Sequence, residues 1–150
     1  MTQITRLSQI RDRHFMQQCR NLMADRSLHF DTMAEVTAMA ASMPAPMYYV
    51  SYAYALKRLH EFMLTGTLRV NSAHGGAMWC EILDRTAIKA ATTLLSPEEA
   101  LARVLQEPAS SYFISPSTAK RLYFRIKSRE AARRRREAAK RNKSIQHLQS

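Results

Sequence analysis

The chain has 150 residues, 46% of them hydrophobic, and a formal net charge of +11; that length can bury one core without a disulfide or metal, which sets aside a cross-linked miniprotein. No apolar run reaches the roughly 20 residues of a membrane span, and no apolar block with a cleavage signal follows Arg6, Arg11 and Arg13, so a membrane protein is excluded and a soluble, cytoplasmic chain is expected. The charge is uneven: Met1 to Tyr112 holds 11 Lys+Arg against 10 Asp+Glu, while Phe113 to Ser150 holds 12 against 2, a balanced body followed by a cationic C-terminal quarter suited to a polyanion.

Three glycines and few strand-like alternations predict an all-α chain. A first helix is expected from Thr5 to about Asp25. Its apolar face holds Ile4, Leu7, Ile10, Phe15, Cys19 and Leu22, with Arg6, Asp12, Arg13, Gln17 and Arg20 on the remainder, and it reads as scaffold. Thr32 and Glu35 have the spacing of a capping box, and the helix they open stops at Pro44-Ala45-Pro46. After Met47-Tyr48-Tyr49-Val50, Ser51 is an N-cap for a helix to about Leu64, with Tyr52, Leu56, Leu59, His60 and Met63 on one face and Gly66 closing it. Thr67 to Gly76 reads as a joint, its Asn71-Ser72 and Gly75-Gly76 being turn material. A helix from about Ala77 to Leu94 follows, with Met78, Ile82, Leu83, Thr86 and Ala90 inward. Cys19 and Cys80 fall in apolar helical patterns and read as two buried, reduced thiols.

Ser96-Pro97-Glu98-Glu99 opens a shorter helix carrying Ala100, Leu101, Val104 and Leu105, which Pro108 ends. Next, Ser115 is an N-cap and Pro116 stands at the first helical position. Ala119, Leu122, Tyr123 and Ile126 then follow at helical spacing, with Lys120, Arg121, Arg125 and Lys127 on the opposite face. Nothing breaks the run before Asn142, so this helix extends to about Arg141. Arg133 to Arg136 put cations on every side, so the tail is expected to be partly disordered until a phosphate backbone neutralises it.

A shift of 64 positions lays Thr32 over Ser96, Glu35 over Glu99, Pro44-Ala45 over Pro108-Ala109, and Tyr48-Tyr49-Val50-Ser51 over Tyr112-Phe113-Ile114-Ser115. The fold expected is therefore two tandem, related helical repeats, each a scaffold helix plus a helix-turn-helix-like pair. The boundaries are 1–66 for the first repeat, 67–76 for the joint, 77–128 for the second repeat and 129–150 for the basic tail. The first copy's last helix offers only Lys57 and Arg58 against Glu61. The second copy is thus the one expected on nucleic acid, leaving the first to pack, to hold a partner or to form a homo-oligomer through the helical body.

The segment SPEEALARVL to YFISPSTAKRLY, about 30 residues, resembles the helix-turn-helix superfamily and, more loosely, the small basic helix-turn-helix proteins of bacterial mobile elements and phages. The resemblance implies that Ser117, Thr118, Lys120 and Arg121, early in the last helix, face bases. Arg125, Lys127, Arg129, Arg133, Arg134, Arg135, Arg136, Lys140, Arg141 and Lys143 would lie nearer to phosphates. Tyr48, Tyr49, Tyr112 and Phe113 have two readings, base-stacking platforms or interhelix wedges, with packing favoured by their place before a helix cap. Five scattered histidines show no ligand spacing and no nucleophile has a base in recognisable order, so no cofactor, no metal and no enzyme is expected. The expectation is a non-enzymatic nucleic-acid-binding protein, double-stranded DNA ahead of RNA, regulator or accessory factor. The alternative is a structural or assembly protein whose basic tail binds RNA or a packaged genome.

Overall fold

The structure, a computed structural model, describes residues 3–149, and side chains from Arg6 onward. Six helices follow one another: α1 (Gln3–Ala24), α2 (Met33–Ser42), α3 (Tyr52–Thr65), α4 (Ala73–Thr93), α5 (Pro97–Val104) and α6 (Pro116–Gln149). Among the described residues there is no strand, and no helix is long and apolar enough to cross a membrane.

The helix starts follow from side-chain chemistry. The Thr32 hydroxyl accepts from the Glu35 N–H, satisfying one of the free donors at the start of α2, and the Glu35 carboxylate reaches back past the cap to the Asp31 N–H at 2.9 Å. Ser51, Ser96 and Ser115 each accept from the N–H three residues on. Gly66 closes α3 at φ 70, a left-handed conformation that glycine adopts without steric cost.

Several expectations need correction. α4 begins at Ala73, not Ala77, because Ser72 acts as its N-cap, accepting from the Gly75 N–H at 3.0 Å; both glycines belong to the first turn. A Cβ on Gly76 would stand 3.3 Å from Val70 Cγ2, so the small residue lets the joint fold back on the helix. The buried face of α4 is Trp79, Ile82 and Thr86, with Met78, Leu83 and Ala90 only half-buried. Cys80, one position round from Trp79, is exposed, whereas Cys19 is buried. On α3 the inward residues are Ala55, Arg58 and Leu59, while Tyr52, His60 and Met63 are exposed. Ile4, assigned to the apolar face of α1, lies outside the described side chains. Finally, α6 runs past Arg141 to Gln149, and 129–149 is helical throughout. No Gly or Pro follows Pro116, so the chain meets weak helix formers such as Asn142 and Ser144 but no breaker.

α1 packs on α2 and α4 on α5, but the last helices cross over: α6 lies on α2 and, more lightly, on α1, while α3 lies on α5. One apolar cluster takes in residues from all six helices, including Phe15 and Cys19 of α1, Val36 and Ala40 of α2, Ile82 of α4, Leu101 and Val104 of α5, and Leu122 of α6. Where the connectors before α3 and α6 meet, Ala45 and Ala109 form an isolated antiparallel bridge. Beside it Tyr48 stacks on Phe113 and Tyr49 on Tyr112, both pairs 15° from parallel. Phe113 takes φ 54 to reach its place, a conformation rare for a side chain of its bulk; the Ser111 hydroxyl accepts its N–H at 3.0 Å.

Candidate nucleic-acid interface

All the predicted contact residues lie on α6, and its first turn is held by hydroxyls. Ser115 Oγ accepts the Thr118 N–H at 3.1 Å and donates to Thr118 Oγ1 at 2.8 Å; Ser117 Oγ lies 3.1 Å away and Arg121 Nη2 donates to Thr118 Oγ1 at 3.3 Å. Ser117, Thr118 and Arg121 are thereby brought together at the cap. Ala119, Leu122, Tyr123 and Ile126 face inward and are buried, fixing the rotation of the helix. That rotation leaves Lys120, Arg121, Arg125, Lys127 and Arg129 exposed.

At about 100° per residue, the centre of the outward face falls between the two cationic edges, Lys120 with Lys127 and Arg121 with Arg125. Phe124 sits there, 47% exposed, its ring edge-on to Tyr123 at 5.3 Å. Helical spacing sets Tyr123 with Leu122 and Ile126 on the inward side and leaves Phe124 off it. Only the helical angle relative to Leu122 and Ile126 tells that one points in and the other out.

Beyond Ala132 the helix is exposed along its whole length. Glu130 Oε1 accepts from Arg20 Nη2 at 3.1 Å, the last ion pair between α6 and α1. Every residue from Arg133 to Gln149 is exposed, a rod of about 25 Å at 1.5 Å per residue. Arg133, Arg134, Arg135 and Arg136 point to all sides of it. Lys140, Arg141 and Lys143 continue it, so Ser117 and Lys143 lie about 39 Å apart along one axis rather than converging on one pocket. α6 holds 12 Lys and Arg against two Glu, and among the described residues none of those cations is in an ion pair.

Two other features bear on what the chain can do. Tyr48 and Tyr112 are 1% and 5% exposed, so the connector aromatics stack on one another. Tyr48 Oη donates to Glu81 Oε2 at 2.7 Å, and Tyr49 Oη pairs with His14 Nδ1 at 2.8 Å. Burial, with the Glu81 carboxylate beside Tyr48 and the Tyr112 phenol beside Tyr49, pushes both phenols above their ordinary range. Among the described residues no group of His, Cys, Asp and Glu is placed to hold a metal ion. The connector from α5 to α6 spans residues 105–115, and α6 takes α2 as its main packing partner.

Comparison with protein-family models, with curated proteins and with solved structures finds no match for the chain.

Proposed function

We propose that the chain is a non-enzymatic nucleic-acid-binding protein that grips double-stranded DNA with α6, as a regulator or accessory factor. The observation that carries this reading is the state of the α6 cations. They are exposed, unpaired among the described residues, and borne on a helix that leaves the body. Such a charge density on an unpacked helix repels itself and is relieved by phosphates, with release of their counterions. With side chains an α-helix is about 10–12 Å across, which suits a B-form major groove of about 12 Å, whereas the deep, narrow groove of A-form RNA does not admit it. The capped root of α6 offers Ser117, Thr118, Lys120 and Arg121 for base edges and Phe124 for an apolar contact; the tail arginines serve phosphates.

A two-repeat organisation would suit the same division of labour. Residues 64 positions apart share roles: Thr32 and Ser96 as caps, Ser51 and Ser115 as caps, Ala45 and Ala109 in the bridge, Ala55 and Ala119 fully buried. In this reading the first copy's short α3 has become packing material, and the second copy's helix has become the contact element.

The test is a salt titration of the intact chain and of a version ending at Ser128 against duplex DNA, single-stranded DNA and RNA. The intact chain should prefer duplex DNA and show a steep log–log salt slope, and the shortened chain should lose most of both. Binding that is unchanged without residues 129–150, or a shallow slope with them, would overturn the assignment. Random duplex or RNA competing as well as any chosen duplex would favour the second reading, a structural or assembly protein with its tail on RNA or a packaged genome. On that side stands the ring of Arg133 to Arg136, which addresses phosphates from every direction and reads no sequence.

A further inference from the structure

We propose that the groove between α1 and the root of the projecting helix is a seat for clustered phosphates, in which, among the described residues, Arg13 of α1 is the one cation that α6 does not supply. The proposal rests on the reading of α6 above and adds a second element to it. The groove encloses about 540 Å³, and its charged walls are Arg13, Arg129, Arg133, Arg136, Asp12 and Glu130.

Four guanidiniums and two carboxylates in one groove would ordinarily neutralise each other in part. Here they do not, because each carboxylate is turned to an arginine outside it. Asp12 Oδ1 accepts from Arg11 Nη2 at 3.0 Å, and Glu130 Oε1 accepts from Arg20 Nη2 at 3.1 Å. Arg13, Arg129, Arg133 and Arg136 are left without an ion pair among the described residues. The other Glu130 oxygen, Oε2, is buried with no hydrogen-bond partner, and a small anion placed beside it would meet like charge. The groove therefore suits phosphates strung along a chain and kept to its arginine walls. Arg129, Arg133 and Arg136 rise about 6 Å and then about 4.5 Å along the helix, a spacing comparable with successive phosphodiesters of one strand.

Arg13 differs from the others in how it is held. It precedes Phe15 and Met16, which are 0% and 3% exposed, so its backbone is fixed by the core, whereas Arg133 and Arg136 ride on an unpacked helix. A strand leaving the tail would thus be received at a fixed point on the body, and that point sets the direction in which the nucleic acid crosses α1.

The experiment compares the intact chain with Arg13→Gln, Arg13→Lys and, as a control away from the groove, Arg26→Gln. Each is titrated with a 20-base-pair duplex and with inorganic tripolyphosphate, and folding is checked by circular dichroism. The seat predicts that Arg13→Gln weakens duplex binding about threefold to tenfold and lowers the log–log salt slope by about one. Arg13→Lys should keep most of both, and Arg26→Gln should change neither. Loss of tripolyphosphate binding in Arg13→Gln would extend the seat to free oligophosphates; an effect on the duplex alone would confine it to a strand, and either supports it. If the intact chain grips duplex DNA and Arg13→Gln behaves like Arg26→Gln, the seat is wrong while the α6 reading stands. If the intact chain binds no duplex, the α6 reading fails and takes the seat with it.

Discussion

Ala45 and Ala109 exchange both backbone hydrogen bonds, each N–H reaching the other's carbonyl at 3.0 Å. Each follows a proline, Pro44 or Pro108, and the two are 1% and 2% exposed. The bridge joins the two connectors at the point where the last helices change sides. Ala45→Pro removes one N–H and leaves the buried Ala109 carbonyl without its donor, which should cost about 1–3 kcal/mol. Ala109→Pro should cost a similar amount by the mirror-image loss. Denaturant unfolding followed by circular dichroism measures both, and a loss confined to one variant would show that the bridge is not shared evenly.

Glu81 ties α4 to both connectors. Its Oε2 accepts from Tyr48 Oη at 2.7 Å and from the Ser110 N–H at 3.3 Å, and its Oε1 lies 3.4 Å from Arg85 Nη2. Burial works against its charge, but hydrogen bonds from Ser110 and Tyr48 and the charge of Arg85 outweigh it and hold the carboxyl below its ordinary 4.5. A carboxyl lowered on folding adds stability that is fully present above the unfolded value and drains away as pH falls through the folded one. Stability measured from pH 7 downward should therefore drop below about pH 4.5, less steeply in Glu81→Gln. Tyr48→Phe takes away one donor and moves the folded value back toward the unfolded one, so its drop should be smaller and end at a higher pH.

The two thiols should behave differently in the folded protein. Burial pushes Cys19 up to about 11, with Arg20 opposing it, while Cys80 is exposed. A thiol reagent at pH 8 should modify one cysteine rapidly in the native chain and both after denaturation. Cys80→Ser should abolish the fast phase, and its persistence would mean that Cys19 is reached through an opening of the body.

Residues 133–149 are all exposed, so α6 should melt in two parts. Ala138→Gly with Ala139→Gly costs about 1 kcal/mol each in helix propensity. Far-UV ellipticity should fall, with the near-UV melting temperature of the body unchanged. Saturating duplex DNA should restore the lost ellipticity, because neutralised phosphate contacts favour the helix. A shifted body transition would mean that the rod packs on something.

What could be read from the residues was the chemistry that stays local. Thr32, Ser51, Ser96 and Ser115 were identifiable as caps because a hydroxyl needs only the N–H three residues ahead. Ser72 escaped notice because Gly75 and Gly76 look like a turn, and only Val70 folding back over Gly76 explains their smallness. The inward face of α3 was misread for a reason further away. Arg58 is tolerated inside because its guanidinium lies over Trp79, 5.3 Å from the ring centre, with Nη1 on Glu61 and Nη2 on the Arg69 carbonyl. Glu61 is one turn on along α3, but Trp79 and Arg69 lie beyond that helix. The same holds for the site: the α6 cations announce themselves by composition, but Arg13 gains meaning only when α6 is laid beside α1.

The crossing of the last helices has a consequence for how the protein is made. On the ribosome, α2 and its first neighbour α1 emerge before α6, the main packing partner of α2, whose Leu122 and Ile126 are translated more than 80 residues after Val36 and Ala40. At about 5–20 residues per second, the nascent chain carries an open apolar stripe for several seconds before its own final helix arrives. That interval is when a chaperone would be needed, and it closes only once the cationic end of the chain has been synthesised.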